Sequence, residues 1–167
     1  MPEEYIILFN ANKCTGCHGC EAACKSWRNV ELGVAWRRVD NLWYGRYPCV
    51  KSASLSLACM HCIEPACVTA CPTGAIEKRP DGGVVMVDRD VCTGCQSCLE
   101  ACPFRVPQFG TDGTMQKCDL CADEVDLTAS APPCVVTCPT KALWYGKINA
   151  KKKSGAEQSL KELLEAH

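Results

Sequence analysis

Apolar positions along this chain come in short bursts separated by polar and small residues. Residues 5–9 (YIILF) and 54–58 (SLSLA) are β-prone runs, as are 106–109 (VPQF) and 142–146 (ALWYG). Residues 75–78 and 84–88 flank a turn over 80–83 that carries Pro80, Gly82 and Gly83, which predicts a hairpin. Run 54–58 is expected to pair with 106–109, and run 5–9 with 142–146. Helical periodicity is scarce. The stretch CKSWRNVELG predicts a short helix ending near Gly33, and Leu160, Leu163 and Leu164 form one stripe over 156–166. Residues 151–155 read as a linker to that second helix. About eleven residues are marginal as a lone helix, so it either caps its own domain or grips a partner, and a partner is the reading taken here. The pattern predicts an α+β chain of short elements.

No apolar run approaches the ~20 residues a membrane helix needs, so no direct membrane insertion is expected. The N-terminus is acidic and lacks a basic n-region, and Arg37 and Arg38 lie too far in for a twin-arginine leader. A cytoplasmic location is expected, with export beside a signal-bearing partner left open.

Composition changes the picture. Of 167 residues 17 are cysteine, a share that marks a disulfide or metal scaffold. The stated hydrophobic share is 47%, and without the cysteines it falls to about 37%, below the usual globular share. The organic core is thin, so an inorganic group is expected to fill and cross-link the interior. A net charge of −1 gives no basic field for nucleic acid. A reducing compartment and an odd cysteine count argue against a disulfide framework.

The cysteines fall into four groups. Motif one is CTGCHGCEAAC (Cys14, Cys17, Cys20, Cys24), and motif two is CMHCIEPACVTACP (Cys59, Cys62, Cys67, Cys71). Motif three is CTGCQSCLEACP (Cys92, Cys95, Cys98, Cys102), and motif four joins CDLC to CVVTCP (Cys118, Cys121, Cys134, Cys138). Cys49 is left over. Three thiolates at two-residue intervals let one loop wrap an iron–sulfur cube, with backbone amides facing its sulfides, and the cysteine before proline ligates the other cluster of a pair. Gly16, Gly19 and Gly94 let the backbone come close. Zinc needs only two Cys-x-x-Cys pairs and leaves the repeated third and fourth cysteines unexplained. Sixteen cysteines give four 4Fe–4S clusters with every ligand present, so neither a 3Fe–4S nor a Rieske variant is called for. His18 and His61 lie inside motifs without being needed as ligands.

Two pairings of the motifs are open on spacing. In the nested scheme residues 51–109, with motifs two and three around their hairpin, form an inner two-cluster ferredoxin-like unit. Residues 1–50 and 110–150 then form an outer unit, and 151–167 a linker and short helix. The ligand sets are Cys14, Cys17, Cys20 with Cys138; Cys118, Cys121, Cys134 with Cys24; Cys59, Cys62, Cys67 with Cys102; and Cys92, Cys95, Cys98 with Cys71. In the competing scheme motif one pairs with two and three with four, with VPQFGTDGTMQK as a hairpin between three and four.

The run from WRRV (36–39) through LACMHCIEPACVTACPTGAI, VDRDVCTGCQSCLEACPF, QKCDLC and PPCVVTCPTKAL resembles the iron–sulfur subunit of dimethyl sulfoxide reductase-type complexes. That family includes small subunits of formate dehydrogenases, and similar ones serve tungsten aldehyde oxidoreductases and benzoyl-CoA reductases. The resemblance covers about residues 5–148 and all sixteen ligands. It implies the nested pairing, a wire of four 4Fe–4S clusters, and a catalytic partner holding a molybdenum or tungsten pterin. Motif one departs from it by ending in Lys25 instead of proline, and the chain is short, lacking a membrane-docking extension.

The expected function is therefore non-catalytic electron transfer within an oxidoreductase complex, with a further redox subunit or a ferredoxin as a second electron partner. The alternatives are a free-standing polyferredoxin and a structural or sensor module. Trp27, Trp36, Trp43, Tyr44, Trp144 and Tyr145 are expected to pack around the clusters, and Arg28, Arg37 and Arg38 to be surface charges. Cys49 reads as a small core residue or an unremarkable thiol, and the loop from 123 to 133 gives no basis for a choice of role.

Overall fold

Each strand of this protein finds a single neighbour. The computed structural model describes residues 3–165, which contain four separate two-stranded antiparallel ladders. Strand β1 (Glu3–Phe9) pairs with β8 (Leu143–Asn149), so the two ends of the cysteine-bearing region meet. Strands β2 (Arg37–Tyr44) and β3 (Lys51–Ala58) form a hairpin between motifs one and two. Strands β4 (Ile76–Lys78) and β5 (Val85–Val87) form another between motifs two and three, and β6 (Gln108–Phe109) with β7 (Met115–Gln116) a third between motifs three and four. Helices are short: α1 (Gly19–Trp27), α2 (Ala66–Thr69), α3 (Ser97–Ala101) and α4 (Pro133–Val136), with a longer α5 (Ala150–Glu165) at the end. This is the α+β fold the sequence pattern predicts.

The pairing of 5–9 with 142–146 and the hairpin over 75–88 are as expected. The pairing of 54–58 with 106–109 is not: β3 takes β2 as its partner, and Gln108–Phe109 pairs with the next segment, β7. Both corrections follow from chain closure, since a strand one short loop away costs less entropy to reach than one fifty residues away. The helix expected to end near Gly33 stops at Trp27, where Asn29 takes the left-handed conformation that terminates helices.

The C-terminal segment also differs. Residues 151–155, read as a linker, belong to one continuous helix, α5. Its first turn carries Lys153, 0% exposed, whose Nζ donates to Glu4 Oε2 at 2.7 Å and to the Tyr5 carbonyl at 3.4 Å. Lys78 of β4 holds the other Glu4 oxygen at 2.7 Å, so this carboxylate ties β1, β4 and α5 together. Further along, Glu157 accepts from the Ile63 amide at 3.1 Å, and Leu160 and Leu164 pack against Leu57, Phe104 and Val106. The helix therefore caps its own fold. The side chain of Leu163, third in the expected stripe, and Ala166 lie outside the described residues.

The apolar core is divided into islands, each containing cysteines. One joins Cys20, Cys24 and Cys134 to Val39 and Leu143, and another joins Cys98 to Ile76, Val85 and Met115 with Cys67, Cys71 and Cys92 at its edge. Thin two-stranded sheets leave one face open, which is why the aromatics do not all pack inward. Trp36 and Tyr145 do, but Trp27, Trp43, Tyr44 and Trp144 are exposed, Trp43 by 73%.

Replacing the Lys153 ammonium by an isosteric thioether, Lys153→Met, leaves Glu4 with Lys78 alone. The expected loss is roughly 2–3 kcal/mol, less than the full cost of stranding a buried charge. It is read as a lower unfolding midpoint and faster hydrogen exchange over 150–165, and unchanged exchange would refute the docking role. Burial raises the Glu4 pKa, but the Lys153 and Lys78 contacts outweigh it and hold the carboxyl below its ordinary value. Its contribution is therefore present at neutral pH, and α5 of the native chain should loosen only as pH falls below the ordinary carboxylate range.

Candidate metal centre

The four motifs share a backbone device. The residue two places after the first cysteine is left-handed in each: Gly16 (φ 65°), His61 (φ 49°), Gly94 (φ 69°) and Leu120 (φ 58°). Successive amides around such a residue turn toward one point and form an anion-binding concavity. The amides of Gly16 and His61 lie 3.5 and 3.4 Å from the Sγ atoms of Cys14 and Cys59. Glycine takes this conformation at little cost in motifs one and three, whereas His61 and Leu120 adopt it with a side chain attached. A second repeat follows the proline-preceding cysteines. Gly74, Arg105 and Lys141, each three places after Cys71, Cys102 or Cys138, are also left-handed and donate back to that cysteine's carbonyl at 3.4, 3.1 and 3.3 Å.

Helix α1 packs on α4 and α2 on α3, so motif one faces motif four and motif two faces motif three. A cavity between motifs two and three has Cys71, Cys92, Cys95 and Cys98 in its wall, with Ile76 and Met115 closing it. Beside Leu57 and Phe104 a further island gathers Cys59, Cys62 and Cys102. Cys20, Cys24 and Cys134 share the island under β2. All seventeen cysteines are free, and Cys49 is exposed, away from these groups, so it is not a core residue. The hairpin that the competing scheme places between motifs three and four, β6–β7, is present, yet the helices that carry the thiols pack as α1 with α4 and α2 with α3.

Electrostatics distinguish inner from outer thiols. Burial, then repulsion from Cys134, pushes Cys24 up to about 11; burial, then Asp119 and Cys134, pushes Cys121 up to about 12. Burial lifts Cys62 to about 12, with Glu157 and Cys59 adding to it, and Cys67 to about 11, with Cys59 adding. Cys98 rises to about 11 by burial and, against backbone donors, by Cys92 and Cys95. For Cys71 and Cys138 burial is the largest single influence, yet amide and threonine donors together outweigh it and lower both, and Ser97 lowers Cys95. The buried thiols are protonated unless a cation replaces the proton, so metal binding here releases protons and adds folding energy.

The donor set suits a cube: three thiols of one motif and the proline-preceding thiol of another line one cavity, whereas a zinc site calls for two Cys-x-x-Cys pairs. Three buried side-chain nitrogens, Arg28 Nε, Arg37 Nε and His61 Nε2, also lack hydrogen-bond partners among the described residues. His61 is fully buried, its Nδ1 accepts the Val85 amide at 3.0 Å, and its Nε2 bonds nothing; burial and nearby Lys117 hold the ring neutral. Arg37 Nε is likewise unpaired. Sequence reasoning placed Arg28 and Arg37 on the surface, and both are shielded. Arg28 pairs with Asp119 at 2.5 Å and with Glu124, and lies 5.2 Å over the Trp36 ring. Lys117, also missed, is buried and donates to the Val85 and Cys118 carbonyls. Its place directly before Cys118, the first cysteine of motif four, was the available signal.

Comparison with known proteins agrees with this chemistry. A family described as "4Fe-4S dicluster domain" matches residues 50–148, which include motifs two to four. The protein is 41% identical to a chain of the anaerobic dimethyl sulfoxide reductase of Escherichia coli K12, covering all of its own length and 85% of the relative. It is 35% identical to a subunit of the sulfite dehydrogenase of Allochromatium vinosum, over 87% of its own length and 70% of that one. It is also 35% identical to the thiosulfate reductase electron transfer subunit PhsB of Salmonella typhi, over 89% and 79%.

The turn at Gly94 tests the backbone device. A Cβ there would collide with the Gly113 carbonyl oxygen, and φ is +69°. Gly94→Ala should destabilise the chain by more than about 2 kcal/mol, the left-handed penalty plus a backbone clash. Denaturant unfolding of the anaerobically purified protein measures it; a midpoint within error of the native one would refute the tight turn.

Proposed function

The chain belongs to the 4Fe-4S dicluster domain family, and from that premise we propose that it is the electron-transfer subunit of an oxidoreductase, with four 4Fe–4S clusters that relay electrons to or from a molybdenum- or tungsten-pterin catalytic subunit. The observation that carries this reading is the cavity walled by Cys71, Cys92, Cys95 and Cys98: three thiols from one motif and the proline-preceding thiol of another. The relatives are named as chains or electron-transfer subunits of dimethyl sulfoxide, sulfite and thiosulfate enzymes, which supports a catalytic partner. The chain itself supplies no catalytic residue. A second redox subunit or a ferredoxin completes the electron path.

Bound cubes each take up and release one electron at a time. The chain's own residues hold sixteen thiolates, turn amides toward them and exclude water. We assign the ligands by the nested scheme: Cys14, Cys17, Cys20 and Cys138; Cys24, Cys118, Cys121 and Cys134; Cys59, Cys62, Cys67 and Cys102; Cys71, Cys92, Cys95 and Cys98. Support comes from the packing of α1 on α4 and α2 on α3, from the β1–β8 ladder that closes the outer unit, and from the islands joining Cys59 and Cys62 to Cys102. We read the chain on the same basis as two nested units, 51–109 within 1–50 and 110–150, and the helix packing supports that reading. No described helix is long and apolar enough to cross a membrane. A cytoplasmic setting is the reading that suits a chain whose cysteines serve as cluster ligands and not as disulfides.

Anaerobically purified complex should contain four irons and four acid-labile sulfides per motif, almost no zinc, and a large partner subunit with a pterin; stoichiometric zinc, or purification as a lone monomer, would overturn the subunit reading. The pairing has its own test. Cys24→Ser and Cys118→Ser each remove about a quarter of the iron, and because the two residues share a cube the double variant should lose no more. In the competing scheme they serve different cubes, and the losses would add.

A further inference from the structure

Arg37 opens β2 on the strand that leads out of motif one, and it is only 3% exposed. A buried guanidinium needs an opposite charge. Arg28, Lys78 and Lys153, other shielded cations of this region, each pair with a carboxylate. Among the described residues no carboxylate pairs with Arg37. Its Nη1 donates to the Ser56 hydroxyl at 3.1 Å, and its Nε is buried without a partner.

Strand geometry shows what it faces instead. Side chains two apart on a strand share a face, so Arg37 and Val39 look the same way, and Val39 packs with Cys20, Cys24 and Cys134. The Ser56 hydroxyl that Arg37 holds is also 3.4 Å from Cys20 Sγ. Among the described residues, the anions available to this cation are thus the thiolates of motifs one and four. Burial alone would depress the guanidinium pKa, but the sulfurs of Cys134, Cys118, Cys20 and Cys24 reverse that and raise it.

We propose that Arg37 is the fixed counter-charge of the two clusters assigned to motifs one and four, and that it raises their reduction potentials. The proposal rests on the nested reading above. A cube held by four thiolates is anionic when oxidised and carries one further negative charge when reduced. A positive charge fixed beside it therefore favours the reduced form, and net charge and hydrogen bonding are among the protein's means of setting cluster potentials. Arg37 is a positioning and tuning residue: it touches ligand sulfurs through Ser56 and its field, and ligates no iron. The cavity of Cys71, Cys92, Cys95 and Cys98 does not include it, so that cluster should be least affected.

The experiment compares the native complex with Arg37→Gln and Arg37→Lys, with iron and sulfide counted first and midpoint potentials then read by paramagnetic resonance during a reductive titration. Arg37→Gln should lower two of the four potentials, each by at least a tenfold change in the reduced-to-oxidised ratio, ~59 mV for a one-electron couple. Arg37→Lys keeps the charge and should restore most of that shift. Full iron with no potential moved in Arg37→Gln, or equal shifts in both variants, would overturn the proposal. Iron loss in Arg37→Gln that Arg37→Lys repairs would support a counter-charge, and equal loss in both would oppose it. A native iron count far short of four per motif would overturn the four-cluster reading itself, which separates that failure from this one.

Discussion

Placing many sulfur anions inside a small, nearly neutral chain is the constraint from which the rest of this structure follows. The protein has 17 cysteines and a net charge of only −1. Burial drives the inner thiols toward the protonated form, with Cys121 and Cys62 lifted to about 12. Iron can replace those protons only where the surroundings accept the resulting charge. Two devices provide that acceptance. Left-handed residues at Gly16, His61, Gly94 and Leu120 turn amides inward, and the buried cations Arg37 and Lys117 donate to a hydroxyl and to backbone carbonyls, with no carboxylate partner among the described residues.

The same constraint accounts for the thinness of everything else. A lone two-stranded ladder is marginal in water, and this chain has four of them among its described residues. None of these sheets is broad enough to cover another. Apolar residues gather as islands around sulfur, as Val39 and Leu143 do around Cys20, Cys24 and Cys134. The fold therefore depends on cross-links that join segments distant in sequence, and metal binding and folding become one equilibrium. Tail helix α5 adds a purely organic cross-link, through Lys153 to Glu4 and through Glu157 to Ile63.

What was legible in the sequence was what spacing alone determines. The repeated cysteine intervals identified the chemistry, and the apolar runs at 5–9 and 142–146 predicted the ladder that closes the chain. The turn around Pro80 predicted the β4–β5 hairpin. Environment was not legible. Arg37 and Arg38 are adjacent and chemically identical, yet one is buried against sulfur and the other lies toward solvent, because strand alternation assigns them opposite faces. Run 54–58 was expected to pair with 106–109, and the closeness of residues 37–44 along the chain gave it a different partner. Residues 151–155 carry three lysines and a glycine, a linker-like composition, and became helical because Lys153 found Glu4 far away in sequence.

The one departure from the repeated pattern fits the same logic. Motifs two, three and four each end in cysteine–proline, and a left-handed residue three places after the cysteine turns the chain back. Motif one has Lys25 in place of proline, so nothing stops its helix at Cys24. Helix α1 runs on to Trp27, and the next residue, Arg28, reaches Asp119 and Glu124 of motif four and covers the Trp36 ring. Asp119 in turn accepts the Cys121 amide at 2.8 Å. The extra helical residues thus carry a charged link from the first motif to the loop of the last, across 91 positions of sequence. A proline at position 25 would have had to sacrifice that link. The irregular motif is the one whose helix runs past its fourth cysteine, and its irregularity is what lets Arg28 reach Asp119 and Glu124.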